Sequence, residues 1–252
     1  GLTMQFPLFD SLSKAGKIRV ETLASSAAWF KSQFPVTPAT AVTTLEDVRG
    51  EGRKTVWFNS RYYRTNLLWE KDGFRFRDIH LFDEKFESSY LRQAGAGNQF
   101  FYYALPIVDG FSWSTKEDRA GLRIVKIGPD GKKASISLKD PNVIEKAKEV
   151  LEVSAKDEEG NVFTITFHED RFEIACKTKE KDMRWMLELN TATSAKLPFQ
   201  SIVSKQIKAV FRGFSYGLNC KKGSIQQGAG TNDAVFQIVP AAHRIVLDCT
   251  NP

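Results

Sequence analysis

The chain has 252 residues and a formal net charge of +6, with 42% hydrophobic and 26% charged side chains. That balance supports a sizeable core and excludes a disordered polypeptide, and no run approaches the ~20 apolar residues of a membrane-spanning helix. The 36 basic residues are scattered among 30 acidic ones rather than gathered into a track, so a nucleic-acid surface is not expected.

Helical character is confined to the start of the chain. Phe9, Leu12 and Leu8 space like one face of a short helix that ends at Ala15-Gly16, where glycine accepts the left-handed cap. Lys17 to Val20 (KIRV) is short and β-branched and reads as a strand. A second helix runs from Glu21 to Phe34, with Thr22 able to cap it and Pro35 ending it. Residues 1–34 are thus an N-terminal helical α/β segment. Residues 35–53, rich in Thr, Pro and Gly, read as an extended linker, and 54–252 as one β-sandwich domain. No basic region followed by an apolar one marks the N-terminus as a leader.

The stretch from Lys54 to Phe86 organises the rest. Asp72-Gly73 between two aromatic and β-branched runs is a hairpin signal, because a tight type I′ corner needs positive φ at both central residues. That corner sets Glu70 opposite Arg75 as a surface ion pair, Trp69 opposite Phe76, Leu67 opposite Asp78, Thr65 opposite His80, Tyr63 opposite Phe82 and Arg61 opposite Glu84. With side chains alternating at period two, one face then carries Trp57, Asn59, Arg61, Tyr63, Asp78, His80 and Glu84.

Beyond the hairpin, Gln99 to Leu105 reads as an aromatic strand with Phe100, Tyr102 and Leu105 as core residues, and Ile107 to Trp113 follows it. Gly121 to Ile127 and Ala134 to Leu138 form a second hairpin about Pro129-Asp130-Gly131, and Asn142 to Val150 reads as a helical turn. Leu151 to Ala155, Asn161 to Phe167, Arg171 to Lys177 and Met183 to Leu189 form a meander. Ile207 to Phe214, Gly217 to Lys221, Ala234 to Val239 and Arg244 to Cys249 complete the set, with a glycine-rich loop over residues 223–230. About a dozen strands at short, regular spacing define the class: mainly β, a large antiparallel two-layer sandwich.

Motifs for chemistry are sparse. Cys176, Cys220 and Cys249 lack CxxC spacing, and His80, His168 and His243 stand in no metal-ligand pattern, so neither a metal nor a cofactor is expected. No phosphate-binding loop or nucleophile elbow occurs. The informative set is Trp57, Asn59, Arg61, Tyr63, Asp78, His80 and Glu84. Aromatic rings stack on the C–H faces of a sugar while carboxylates, arginine and amides bond its hydroxyls, which is the mixture this face supplies. An imidazole beside two carboxylates also has the parts for acid/base work. The competing reading buries the rings in the core, with Arg61–Glu84 and Asp78–His80 as cross-strand ties.

Ala15 to Lys31 (AGKIRVETLASSAAWFK) resembles the last strand and helix of the barrel in polysaccharide deacetylases and related glycosidase barrels. The resemblance implies that the catalytic Asp and His of that family would lie on an upstream catalytic domain, since no residue here matches them. The remaining 200 or so residues are similar to the galactose mutarotase-like supersandwich that often follows such barrels. That likeness implies a carbohydrate ligand, and for an active epimerase two histidines and a glutamate, for which His80, His168 and Glu169 are the residues of the right type. The combined expectation is a carbohydrate-associated sandwich module that binds or positions a glycan without chemistry of its own. The alternatives are an aldose-epimerase-like enzyme and a purely structural packing domain.

Overall fold

The computed structural model describes residues 1–71, 73–98, 103–180, 182–228 and 234–251. The chain divides into two compact units, Gly1–Pro38 and Ala39–Pro252. In the first, α1 (Leu2–Lys14) ends where Gly16 takes φ of +68°. Thr22 caps α2 (Leu23–Gln33), its hydroxyl accepting from the Ser25 amide. Residues 17–20 join no strand ladder among the described residues.

The second unit is two antiparallel sheets. One contains β1 (Thr40–Thr44), β2 (Lys54–Asn59), β3 (Tyr63–Glu70), β4 (Gly73–Leu81), β5 (Leu105–Asp109), β6 (Gly121–Ile127) and β7 (Lys133–Ser135). It also takes β12 (Arg184–Asn190), β16 (Ser224–Gln227) and β17 (Phe236–Val239), in the order β1-β2-β3-β4-β6-β12-β17-β16, with β5 beside β4 and β7 beside β6. The other contains β8 (Lys139–Ala147), β9 (Val150–Lys156), β10 (Val162–Phe167), β11 (Arg171–Lys177), β13 (Phe199–Val203), β14 (Gln206–Phe211), β15 (Phe214–Lys222) and β18 (Arg244–Asp248). Its order is β13-β14-β15-β18-β11-β10-β9-β8. The architecture is the expected two-layer β-sandwich.

The core lies between the sheets, where alternate residues of each strand meet: Val56, Phe58, Leu67, Phe74 and Phe76 from one, Phe163, Ile165, Phe167, Phe172 and Ile174 from the other. Phe58 stacks on Phe167 with ring centroids 5.2 Å apart, and Phe76 packs on Phe172 at 5.9 Å. Tyr63 belongs to this core. Its hydroxyl lies 2.8 Å from the carbonyls of both His168 and Arg171, so one buried O–H ties β3 to the turn between β10 and β11. Tyr216 does the same in reverse, its hydroxyl donating to the Pro106 carbonyl of β5 at 2.7 Å. All three cysteines are buried and free, and burial pushes the Cys176 thiol up to about 12.

Several expectations are corrected. The run from Lys54 to residue 71 is not one strand: the Ser60 hydroxyl accepts from the Tyr62 and Tyr63 amides, turning the chain between β2 and β3. The expected linker contains β1, whose five residues pair with β2. Asn142 to Val150 is no helical turn, since β8 pairs with β9 from Lys139 to Ala147. The helix-forming glutamates and lysines there are overridden by a waiting strand edge. The glycine-rich loop over 223–230 holds β16, paired to β17 with Ile225 buried. Phe100 and Tyr102 of the aromatic strand lie outside the described residues, while Leu105 is in the core.

The central hairpin departs furthest. Glu70 pairs with Gly73 instead of Arg75, so Gly73 stands inside the strand with φ of +109°; Asp72 lies outside the described residues. Leu67 pairs with Phe76 but Asn66 with Asp78, leaving Arg77 as a bulge, and beyond it Arg64 faces His80 and Tyr63 faces Leu81. Glu70 and Arg75 still pair, diagonally, with Nη2 to Oε2 of 2.6 Å, but Arg75 is buried rather than on the surface.

Replacing Tyr63 by Phe removes the hydroxyl that ties the two sheets. The expected cost is about 1–2 kcal/mol in urea unfolding, with no change in the slope of the transition, because the ring still fills its place while a buried carbonyl loses its donor.

Candidate functional site

The bulge at Arg77 decides which side chains of β4 point away from the core. Phe74 and Phe76 point to the core before it and Ile79 and Leu81 after it, so Asp78 and His80 emerge on the opposite face beside Arg64 of β3 and Trp57 of β2. They line a cleft of about 1000 Å³. Its other walls are Pro106 to Ser114, the loop at residues 192–198 and Val210 to Arg212 at the end of β14. Trp113 anchors the far wall: its carbonyl accepts from the Ala192 amide at 2.9 Å and its ring meets Phe199 edge-on at 5.8 Å.

At the floor, Asp109 on β5 is the cross-strand partner of Asp78. Two carboxylates so placed repel, and each is held by backbone donors. The Gly110 amide donates to Asp78 Oδ1 at 3.1 Å, and the Phe111 and Ser112 amides donate to Asp109 Oδ1 at 3.0 and 2.7 Å. Gly110 is required here, because a Cβ would stand 2.5 Å from Arg77 Cγ and 2.7 Å from the Arg77 carbonyl. Arg77 Nε lies 3.7 Å from Asp78 Oδ2.

His80 stands between these groups, 6% exposed. Arg64 Nη2 donates to its Nδ1 at 3.0 Å, and since a guanidinium can only donate, the proton of the neutral ring sits on Nε2. That Nε2–H has no hydrogen-bond partner among the described residues; Asp109 Oδ2 lies 3.8 Å away. Arg64 Nε is a second buried donor without a hydrogen-bond partner among the described residues, and the guanidinium carbon is 5.8 Å from the Trp57 ring centroid. Burial pulls the imidazole below its ordinary value of 6.5; Asp78 and Asp109 oppose that, while Arg64 and Arg77 add to it. His80 is therefore neutral near pH 7.

Asp78, His80 and Asp109 each offer a donor atom within 4.8 Å of the others, the spacing of a cation site. The protonation does not suit one. Nε2 carries hydrogen where a metal needs a lone pair, and two guanidinium groups stand in the same patch. A hydroxyl suits it: it accepts from Nε2–H and donates to a carboxylate.

Of the seven residues expected on one face, Trp57, Asp78 and His80 line this cleft. Asn59 ends β2 opposite Arg64, outside the lining. Arg61 sits in the exposed β2–β3 turn, 3.1 Å from Glu169 and not opposite Glu84. Tyr63 is in the core, and Glu84 is exposed beyond the end of β4. Arg64, Arg77, Asp109 and Trp113 join the site although the alternation pattern did not select them; Asp109, before a glycine at the end of an apolar run, carried only a turn signal. His168 and Glu169 lie at the β10–β11 turn, where His168 is 3.9 Å from Glu173, so no second histidine meets His80 among the described residues.

Fold and site together define a β-sandwich domain with a polar, aromatic cleft beside the outer face of its larger sheet. No family model and no curated protein matches the chain. Among solved structures it is similar to one described as an active YidC insertase with the first transmembrane domain resolved, at 9% identity and a TM-score of 0.42, over 90% of this chain and 44% of that one. The chain thus spans less than half the length of that structure. Within this chain, no described helix is long and apolar enough to cross a membrane.

The His80 environment makes a pH prediction. The folded value is below the unfolded one, so the unfolded chain takes the proton more readily; stability is full above about pH 6.5 and declines as the pH falls below it. His168 is also lowered, chiefly by burial, and acts in the same direction. Urea titrations between pH 7.5 and 5 should therefore show a smaller fall for His80→Gln than for the parent, with the His168 share remaining.

Proposed function

We propose that the cleft floored by Arg64, Asp78, His80 and Asp109 binds a polyhydroxylated ligand of the carbohydrate class, and that the domain binds or positions a glycan without transforming it. The observation that supports this is the pair of buried donors without partners, His80 Nε2 and Arg64 Nε, beside two carboxylates. A buried donor left unpaired costs about 1–3 kcal/mol, which a bound oxygen recovers. A sugar hydroxyl is donor and acceptor at once, and vicinal hydroxyls match a floor where both kinds of group stand within 4 Å.

The rims supply the second requirement. Trp57 is partly exposed on one side, and Phe111, at 74% exposed, projects from the other. Asp109 links rim to floor, because the Oδ1 that caps the Phe111 and Ser112 amides belongs to the carboxylate whose Oδ2 is turned toward His80. Ring faces at the rim and a mixed polar floor are the elements of saccharide recognition. Binding without chemistry is favoured over an epimerase because, among the described residues that line the cleft, His80 is the one histidine and its partner-free nitrogen carries the proton, whereas an epimerase calls for two histidines and a glutamate.

Titration with a panel of neutral and acidic oligosaccharides, followed by tryptophan fluorescence, tests the reading, since Trp57 and Trp113 both line the cleft. A ligand found this way should bind at least tenfold more weakly to Trp57→Ala and to Asp109→Asn, each tenfold being about 1.4 kcal/mol. Arg61→Ala, outside the cleft, should leave affinity unchanged. Silence across the panel, or equal loss in Arg61→Ala, removes the proposal in favour of a packing domain.

A further inference from the structure

The cleft has a sign. Four cationic side chains line it, Arg64, Arg77, Lys196 and Arg212, against two carboxylates, Asp78 and Asp109, so with His80 neutral its lining carries a net charge of +2. Over the whole chain basic and acidic residues are nearly matched, 36 to 30. Low-dielectric walls concentrate the field of such a surplus on whatever enters.

The surplus is available because the carboxylates are already engaged. Asp78 has the Gly110 amide and Arg77, and Asp109 has the Phe111 and Ser112 amides. Arg64 donates to the neutral His80 ring, and neither Arg64 nor Lys196 forms an ion pair among the described residues.

Two of the cations are set in place by the backbone. Lys196 stands between Ala195 and Leu197, both packed against the core, in the loop whose Ala192 amide donates to the Trp113 carbonyl. Arg212 occupies a more costly position. Phe211 pairs with Phe214 across a two-residue corner in which Arg212 and Gly213 have φ of +50° and +79°. Glycine, asparagine and aspartate take the first position of such a corner readily, whereas the Cβ of an arginine is crowded there. The guanidinium presented by this corner lies over the rings of Phe211 and Tyr103, 5.6 and 5.4 Å from their centroids, on the wall of the cleft. Strain kept at a lining position points to use rather than to folding.

From these observations we infer that the glycan is acidic: a uronic-acid unit sets ring hydroxyls against Asp78, His80 and Asp109 and turns its carboxylate toward Lys196 and Arg212. The inference rests on the reading of the cleft as a saccharide site. A neutral sugar leaves the surplus charge unanswered. A polymer dense in sulfate or phosphate lacks the free hydroxyls that the two carboxylates require as donors.

The test uses oligosaccharides of galacturonate, of mannuronate and of glucuronate, each beside its own methyl ester, titrated by tryptophan fluorescence. At about 50 mM NaCl one of the acids should bind at least tenfold more tightly than its ester, and the ratio should shrink at about 500 mM NaCl as the charges are screened. Arg212→Gly and Lys196→Gln should each weaken the acid at least threefold and leave the ester unchanged. Arg212→Gly relieves the strained corner, so its melting temperature should equal or exceed the parent's, which separates lost affinity from lost fold. Equal affinity for acid and ester, or an acid-to-ester ratio that survives both substitutions, overturns the inference while the cleft keeps its role as a saccharide site. Binding of dextran sulfate with no uronate bound overturns the carboxylate, and silence toward acids and esters alike removes the inference together with the reading beneath it.

Discussion

One extra residue in β4 governs the outer face of the larger sheet. Side chains alternate strictly along a strand, so a run that buries Phe74 and Phe76 would next bury Asp78 and His80 and turn Ile79 and Leu81 to water. Arg77 is inserted without a partner on β3, and the alternation restarts one residue later. The same strand then serves the core at both ends and the cleft in its second half. A second irregularity, on β5, lets Asp78 face Asp109 while His80 faces Pro106. The bulge turns Asp78 and His80 together away from the core, and the pairing with β5 sets Asp109 beside them, so an imidazole and two carboxylates lie within 4.8 Å of one another.

Such a cluster persists because its charges are compensated before any ligand arrives. Asp78 and Asp109 are held by backbone amides and offset by Arg64 and Arg77, and the imidazole between them stays neutral. What remains unsatisfied among the described residues is hydrogen-bonding capacity rather than charge, and that is the feature on which the proposed hydroxyl-bearing ligand would act. Rigidity comes from the other sheet. The Tyr63 hydroxyl reaches from the start of β3 to the carbonyls of His168 and Arg171, and the Tyr216 hydroxyl reaches from β15 to the Pro106 carbonyl of β5, so the strands that carry the cleft are pinned from beneath.

Where local chemistry is self-contained it was legible. Thr22 caps its helix, Gly16 takes the left-handed turn, and the meander from β9 to β11 follows the alternation of Val153, Phe163, Ile165 and Ile174 with polar neighbours, while the expected fourth strand, β12, crosses to the other sheet between β6 and β17. Trp57, Asp78 and His80 were reached as site residues, by a register that differs from the real one. Arg61 and Tyr63 were drawn in by the same counting and fall elsewhere, because the turn at Ser60 and the bulge at Arg77 each reset the alternation. Asp109 and Arg64 were invisible: one looks like a turn residue, the other sat on the wrong face of the imagined strand.

The amino-acid order by itself determined the class of this protein: short alternating strands, a helical start and the absence of catalytic and metal-spacing motifs are properties of neighbouring residues, and neighbouring residues are what a linear reading contains. The tertiary structure alone decided the register. A bulge adds a residue without altering composition or local propensity, and it is stable only because β2, β5 and β6 already fix the strands around it. The cleft, built across that bulge from four separated stretches of chain, exists only once those neighbours are in place.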